Sequence, residues 1–396
     1  MNEADTPNAG SGGDPRLIIV GQCDAELWSI SATERLRRAF DKVGVREITD
    51  RESDTANSII AVRSEYLLGP HLASALSKRT NVVLTDADRQ IAVAIHMPGK
   101  LREAGVAILQ RSEIDDLDSA FGDFDVVGPE ELGSFYDNAL RKRSAPFALS
   151  YSTTSVDILE RKTFDAAYKG ATDFVTKWCW PAPARSVTRW AAALGISPNS
   201  ITTASLVLVL VATWLFYEGL FYLAIPIAWA MTFLDTVDGK LARVTVTSSW
   251  WGNIYDHGID LIHPPFWWWA WYVGVLPISA SGIEPLLGPA LWIILGGYLV
   301  GRLLEGLFVL FFGIETHIWR PVDFYFRTIT ARRNPNLAIL TVATLLQRPD
   351  IGFVAVAAWT VVSLIFHTVR LFQAGVHRSR GNAIASWLTT GSNPSN

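Results

Sequence analysis

The chain reads Asp235-Thr-Val-Asp-Gly-Lys-Leu-Ala-Arg243 and, after eight further residues, Gly252-Asn-Ile-Tyr-Asp256-His-Gly-Ile-Asp260. Asp235 and Asp238 are spaced i, i+3 and Asp256 and Asp260 i, i+4, so on helices each pair shares one face. The flanks are apolar: Phe221–Leu234 and Leu261–Leu276 contain no Asp, Glu, Lys or Arg. Only ten charged residues fall between Ile201 and Leu310, and four are these aspartates. A carboxylate within a membrane segment is costly and marks a functional site by default. The 244–252 segment is long enough to turn the chain back, so two successive helices can present four carboxylates to one another.

Outward from this stretch, apolar runs cover about 201–220, 221–243, 253–277, 288–313, 336–348 and 351–373. Each is near the roughly 20 residues that span a bilayer, the fifth being short. The spacing predicts six membrane helices in residues 201–375, with residues 376–396 as a polar tail. Lys240 and Arg243, then Arg320, Arg327, Arg332 and Arg333, then Arg370, Arg378 and Arg380 fall on one side of such a bundle. The positive-inside rule makes that side cytoplasmic, together with both termini and the aspartates. The expected location is a multi-pass protein of the cytoplasmic or inner membrane.

The preceding part is different. Residues 1–150 hold 24 acidic and 17 basic side chains and one of the 16 tryptophans, whereas residues 151–396 are net positive. Residues 1–14 read as a flexible leader, without the basic and apolar regions of a signal peptide. Arg16–Val20, Ser58–Val62, Asn81–Leu84 and Ile91–Ile95 read as strands, and Val106–Leu109 as a further one in the series. Ala32–Val43 and Leu72–Lys78 have helical spacing, so 15–150 is expected to be a soluble α/β domain with a mostly parallel sheet. Residues 151–200 mix Lys169, Lys177, Arg185 and Arg189 with Trp178, Trp180 and Trp190, as interfacial helices and linker. Cys23 and Cys179 have no disulfide or zinc spacing. No basic stripe supports nucleic-acid binding.

Four clustered carboxylates call for counter-charge, and Mg²⁺ or Mn²⁺ with oxygen ligands supplies it. Gly239 and Ala242 let a bulky ligand approach the backbone. Lys240 and Arg243 offer cations to phosphate. These parts suit displacement at phosphorus, with a carboxylate activating a hydroxyl. A cation-conducting or proton-relay site, or carboxylates protonated within a bundle, are the alternatives that spacing leaves open.

Asp-x2-Asp-Gly-x2-Ala-Arg-x8-Gly-x3-Asp-x3-Asp resembles the signature of the CDP-alcohol phosphotransferase family at all eight fixed positions, from Asp235 to Asp260. Ser197-Pro-Asn199-Ser-Ile-Thr202 is similar to the family segment that helps enclose the cytidine nucleotide. The resemblance covers roughly residues 150–380. It implies that Asp235, Asp238, Asp256 and Asp260 hold two divalent ions, Mg²⁺ or Mn²⁺, and that Asp260 is the general base. Asn199, Thr202, Asp238, Gly239, Ala242, Arg243 and Gly252 would bind the CDP group. The donor would be a CDP-alcohol and the acceptor a lipid or polyol, with CMP released and a homodimer left open as the assembly. Lys240, Arg302 and His257 are further candidates for phosphate or acceptor contacts. Arg302 and Glu305, at i, i+3, can equally form an ion pair within their helix, and His257 a structural hydrogen bond.

Pro264 and Pro265 free the carbonyls of Asp260 and Leu261 and predict a kink. Trp267, Trp268, Trp269 and Trp271 read as a lipid-facing or interface cluster. Gly296-Gly297 and Gly301 suit close helix packing. Asp256-His-Gly-Ile-Asp260 is similar to the wording in diacylglycerol-using choline and ethanolamine phosphotransferases, whereas a fused α/β domain is similar to inositol-phosphate-type enzymes, so the acceptor stays open. Residues 16–140 resemble a sugar-nucleotidyltransferase in layout but lack its Gly-x-Gly-x-Arg loop, and Gly21-Gln-Cys-Asp-Ala-Glu26 puts two acids there. They read as a degenerate, non-catalytic relative. A divergent transferase making its own CDP-alcohol and an unrelated α/β module are the alternatives. For the whole chain, a cation transporter and a catalytically silent scaffold are the rival functions.

Overall fold

A computed structural model describes residues 15–48, 56–111 and 121–390. The expected leader, 1–14, and the end of the expected tail, 391–396, lie outside the described residues. The chain divides into two compact units. The first holds the N-terminal residues to Asp137, Arg143–Tyr168 and the short segment Arg243–Thr247; the second holds the remainder, including most of residues 169–396.

In the first unit β1 (Arg16–Val20), β2 (Glu26–Leu27) and β3 (Ile30–Ser31) lead into α1 (Ala32–Asp41). Ser31 caps α1, its hydroxyl accepting from Glu34 N, and Glu34 sits in the first turn where the helix dipole favours an acid. β4 (Arg46–Glu47), β5 (Ser58–Arg63), β6 (Tyr66–Leu68), α2 (Leu72–Lys78), β7 (Val82–Thr85), β8 (Ala92–Pro98), α3 (Arg102–Gln110), β9 (Asp125–Val127), α4 (Pro129–Leu132) and α5 (Val156–Ala166) follow. The main sheet has the order β4-β1-β5-β8-β7-β9. β1 is parallel to β4 and β5, and β7 to β9, while β8 runs antiparallel to both its neighbours. The sheet is therefore mixed. The reason is the short connection from Thr85 to Ala92, which can only return the chain to an adjacent antiparallel strand. Asp86 shapes that turn, its Oδ1 accepting from the amides of Gln90 and Ile91 at 2.8 and 3.1 Å. Val106–Leu109 lies in α3 rather than in a strand. Its apolar positions face β8, and periodicity over so short a run does not separate the two.

The second unit is a helical bundle. α6 (Pro181–Ala193) precedes α7 (Pro198–Tyr217), α8 (Phe221–Val244), α9 (Trp250–Val275), α10 (Glu284–Phe312), the short α11 (Pro321–Phe326), α12 (Arg333–Leu345) and α13 (Pro349–Ser379). Among the described residues α7, α10 and α13 are long and apolar enough to cross a membrane. Ser197 caps α7 and Ser249 caps α9, each hydroxyl accepting a backbone amide three residues on.

Trp267, Trp268 and Trp271 are buried in the bundle core, against Phe216 of α7, Phe221 of α8 and their neighbours; only Trp269 of the four is exposed. The expectation of a lipid-facing cluster is corrected: residues i, i+1 and i+4 share one helix face, and here that face points inward. Pro264 and Pro265 sit inside α9, which continues through them to Val275. The carbonyl of Leu261, left without its helical partner by Pro265, accepts the Tyr298 hydroxyl of α10 at 2.8 Å. Of the glycines expected to pack closely, Gly297 does, since a Cβ there would meet Thr360 of α13, whereas a Cβ at Gly301 would make only ordinary contact with Leu364 and one at Gly296 would meet nothing. Gly274 is tighter still, since a Cβ would meet the backbone carbonyl of Phe216. Gly274→Ala is expected to cost about 2 kcal/mol, because backbone cannot yield as a side chain can. The thermal midpoint in detergent measures it, and an unchanged midpoint would contradict this crossing.

Candidate active site

α8 and α9 carry the four aspartates, and three of them converge. One carboxylate oxygen each from Asp235, Asp256 and Asp260 lies within 4.8 Å of the other two. Such an all-oxygen, all-anionic donor set fits a hard divalent cation, which tolerates several carboxylates and keeps positions for phosphate oxygens. Asp238 points elsewhere. It is buried, and its Oδ2 accepts the Thr202 hydroxyl at 2.6 Å, tying α8 to the first turn of α7. Its Oδ1 accepts the amide of Gly239 at 2.5 Å.

The residue that closes the cluster comes from α12. Arg333 Nη2 donates to Asp235 Oδ2 at 2.6 Å and Nη1 to Asp260 Oδ1 at 2.5 Å. One guanidinium fork thus spans carboxylates of two helices, a geometry lysine cannot reproduce. In the sequence Arg333 is one of several positives between two apolar runs, and no spacing rule connects it to Asp260. A hint was available: two adjacent arginines open a short apolar helix, where the helix dipole gives a cation no advantage.

Asn199 of α7 and Gly252 of α9 meet. A Cβ at Gly252 would lie 3.0 Å from Asn199 Oδ1 and 3.1 Å from Ser249 Oγ, so the small residue permits the approach. Tyr255 and Thr203 pair their hydroxyls at 3.1 Å beside them. Gly239 and Ala242 are half-buried on α8, and Lys240 is buried. Arg243 donates through Nε to the carbonyl of Ala167 at 2.8 Å. His257 is exposed on α9 and donates through Nδ1 to the carbonyl of Asn253 at 2.9 Å, the structural hydrogen bond that its position allows.

A cavity of about 120 Å³ opens beside Asp260, with Tyr298, Arg302, Arg327, Arg332 and Arg333 among its lining residues. Arg302 and Glu305 pair weakly at 3.5 Å. Glu305 also binds Arg332, and His317 Nε2 lies 3.3 Å from it, so the carboxylate serves three partners rather than one helix turn. Arg327 differs from these. Its Nε and Nη1 are buried with no hydrogen-bond partner among the described residues. Burial, with Arg332 nearby, pushes its guanidinium down to about 9. Cationic groups outnumber anionic ones in this cavity, and a buried donor without an acceptor is costly.

Residues 195–304 match the model of the CDP-alcohol phosphatidyltransferase family, a span from the start of α7 into α10 that includes all four aspartates. The chain is also 37% identical, over 78 residues, to the archaetidylinositol phosphate synthase of Pyrococcus horikoshii. That match covers 20% of this chain and 42% of the relative, so the chain spans less than half the length of the protein it resembles. The aspartate spacing, the convergence of three carboxylates and the family match all fall on the same helices. Over residues 195–304, the stretch that carries all four aspartates, the chain is similar to the CDP-alcohol phosphatidyltransferase family.

Proposed function

We propose that the protein transfers a substituted phosphoryl group from a CDP-alcohol to an acceptor hydroxyl, releasing CMP, in the synthesis of a polar lipid. Asp235, Asp256 and Asp260 would hold the divalent ions, Mg²⁺ or Mn²⁺, with Asp238 joining them only by giving up its bond to Thr202; the ions, when bound, would neutralise the phosphate oxygens and stabilise the leaving CMP. Asn199, Thr202, Gly239, Ala242 and Gly252 shape the nucleotide site, with Arg243 from the same helix. Asp260, at the mouth of the cavity, takes the proton of the acceptor hydroxyl. The acceptor oxygen bonds to the β-phosphorus as the bond from that phosphorus to the bridging oxygen breaks, and CMP departs with the electron pair. No side chain of the motif has its own base to form a covalent intermediate, which favours direct in-line transfer.

The observation that carries the choice of acceptor is Arg327, with two unpartnered donors in an arginine-lined cavity next to Asp260. An acceptor bearing a phosphate would satisfy them. The name of the Pyrococcus relative, which contains inositol phosphate, supports a phosphorylated polyol as acceptor and a lipid CDP-alcohol as donor. The bundle would cross the membrane six times, through α7, α8, α9, α10, α12 and α13, with the aspartates at the cytoplasmic side by the positive-inside rule. The N-terminal α/β unit would not be catalytic.

The test is CMP release by the purified chain in detergent with Mn²⁺, using a lipid CDP-alcohol with a polyol or with its phosphate. Release with the phosphate and not the free polyol is expected, and Arg327→Gln should raise the KM for it about tenfold or more. Equal use of the free polyol would remove the role given to Arg327. No release with any pair would remove the reaction.

A further inference from the structure

The segment Arg243–Thr247 joins the two aspartate-bearing helices in sequence, yet it packs as part of the α/β unit. Two arginines of α1 account for this. Arg35, only 8% exposed, donates through Nη2 to the carbonyl of Val244 at 2.5 Å. Arg38 donates through Nη1 to the carbonyl of Thr245 at 3.0 Å. Glu34, at 2.8 Å from Arg38, and the carbonyl of Leu27, at 3.3 Å from Arg35, orient the two side chains. The acceptors are the carbonyls of the last residue of α8 and of the residue after it, at the negative end of the helix dipole, so cationic donors suit them.

A second observation shows that the turn is constrained. Val246 has φ +54°, the left-handed region in which a β-branched residue is strained and where glycine usually ends a helix. Such a conformation persists only where its surroundings over-determine it. The hydroxyls of Thr245 and Thr247, 2.7 Å apart on either side, and the two arginines are those surroundings. α8 runs unbroken from Phe221 to Val244, so the turn is rigidly connected to Asp238, two helical turns before its end, and to Asp235 beyond.

We propose that Arg35 and Arg38 are positioning residues for the transfer: by clamping the strained Val244–Val246 turn they set the placement of α8 relative to α9, and so the geometry of the metal-binding carboxylates. This rests on the reading of the reaction above. It gives the α/β unit a part in transfer without a reacting group of its own.

The experiment uses the full chain in detergent, with Mn²⁺ affinity read from the electron paramagnetic resonance of free Mn²⁺, without nucleotide, and CMP release read separately. Arg35→Ala with Arg38→Ala is expected to weaken Mn²⁺ binding about tenfold, and Arg35→Lys with Arg38→Lys to recover part of the loss. The transfer defect should fall on the KM for the CDP-alcohol and be overcome by excess Mn²⁺, which a loss of fold would not allow. If the alanine pair does not fold, Arg38→Ala and Arg35→Lys singly take its place. Mn²⁺ affinity within about twofold of wild type in the folded variants overturns the proposal. A wild-type chain that binds Mn²⁺ but releases no CMP overturns only the reaction, and the Mn²⁺ comparison still decides the role of the arginines.

Discussion

Asp260→Asn is expected to reduce CMP release by about a thousandfold while leaving the protein folded, because a positioned general base contributes roughly 10²–10⁴ in rate. Two of its relations support the proposal of Asp260, rather than Asp256, as the base. It borders the cavity, and its Oδ1 is held by Arg333 at 2.5 Å. Asparagine keeps the shape and an oxygen that can accept from Arg333, so the fold should survive. What it loses is the capacity to take a proton. Asp256→Asn is the contrast: under the proposed roles it would remove a ligand without removing the base, so its activity should return in part as Mn²⁺ is raised. Steady-state rates across a Mn²⁺ titration separate the two. Loss in Asp260→Asn that excess Mn²⁺ restores fully would make Asp260 a ligand only. Undiminished release in that variant would sink the mechanism.

Arg333→Met should destabilise the bundle by about 3 kcal/mol, since removing one partner of a buried ion pair leaves an uncompensated charge. Asp235 and Arg333 are both shielded, with side chains 17% and 16% exposed, and the fork satisfies two carboxylates at once. Arg333→Lys should recover only part of this, because an ammonium cannot bridge Asp235 and Asp260 with parallel donors. The sign of the metal effect is distinctive. A divalent cation binding the same carboxylates supplies the missing positive charge, so Mn²⁺ should raise the thermal midpoint of Arg333→Met more than that of wild type. Thermal unfolding in detergent, with EDTA and with Mn²⁺, measures both terms. Asp235→Asn combined with Arg333→Met should cost less than the sum of the single changes, because the unpaired anion is then gone. Full additivity would show that the pair does not matter to the fold.

The helices of the bundle were legible because each is an apolar run closed by a cap or a turn. Ser197, Ser249 and Gly313 stand where α7, α9 and α10 begin or end. The strands β1, β5, β7 and β8 were legible for a similar reason, since short apolar runs between turns suit buried strands. Strand direction was read less well. It depends on what connects two strands, and the compact turn at Asp86 that reverses β8 carries a weaker signal than the strands themselves. Inward and outward faces were also hidden where tryptophan is concerned. An aromatic run in a membrane helix suits either a lipid boundary or a tight core, and packing against Phe216 and Phe221 chose the core for Trp267 and Trp271.

At the site the division is sharper. The spacing of Asp235, Asp238, Asp256 and Asp260 is a local property: a helix repeats every 3.6 residues, so two carboxylates three or four apart share a face whatever surrounds them. The chemistry of a carboxylate cluster in an apolar setting therefore followed from the chain order alone. Which carboxylates meet, and what holds them, did not. The turning of Asp238 to Thr202, the fork of Arg333 across two helices, and the grip of Arg35 and Arg38 on the end of α8 all join residues distant in sequence. Such pairings are set by how helices cross and which side chains reach a shared space. No periodicity encodes them, so only the tertiary structure decided them.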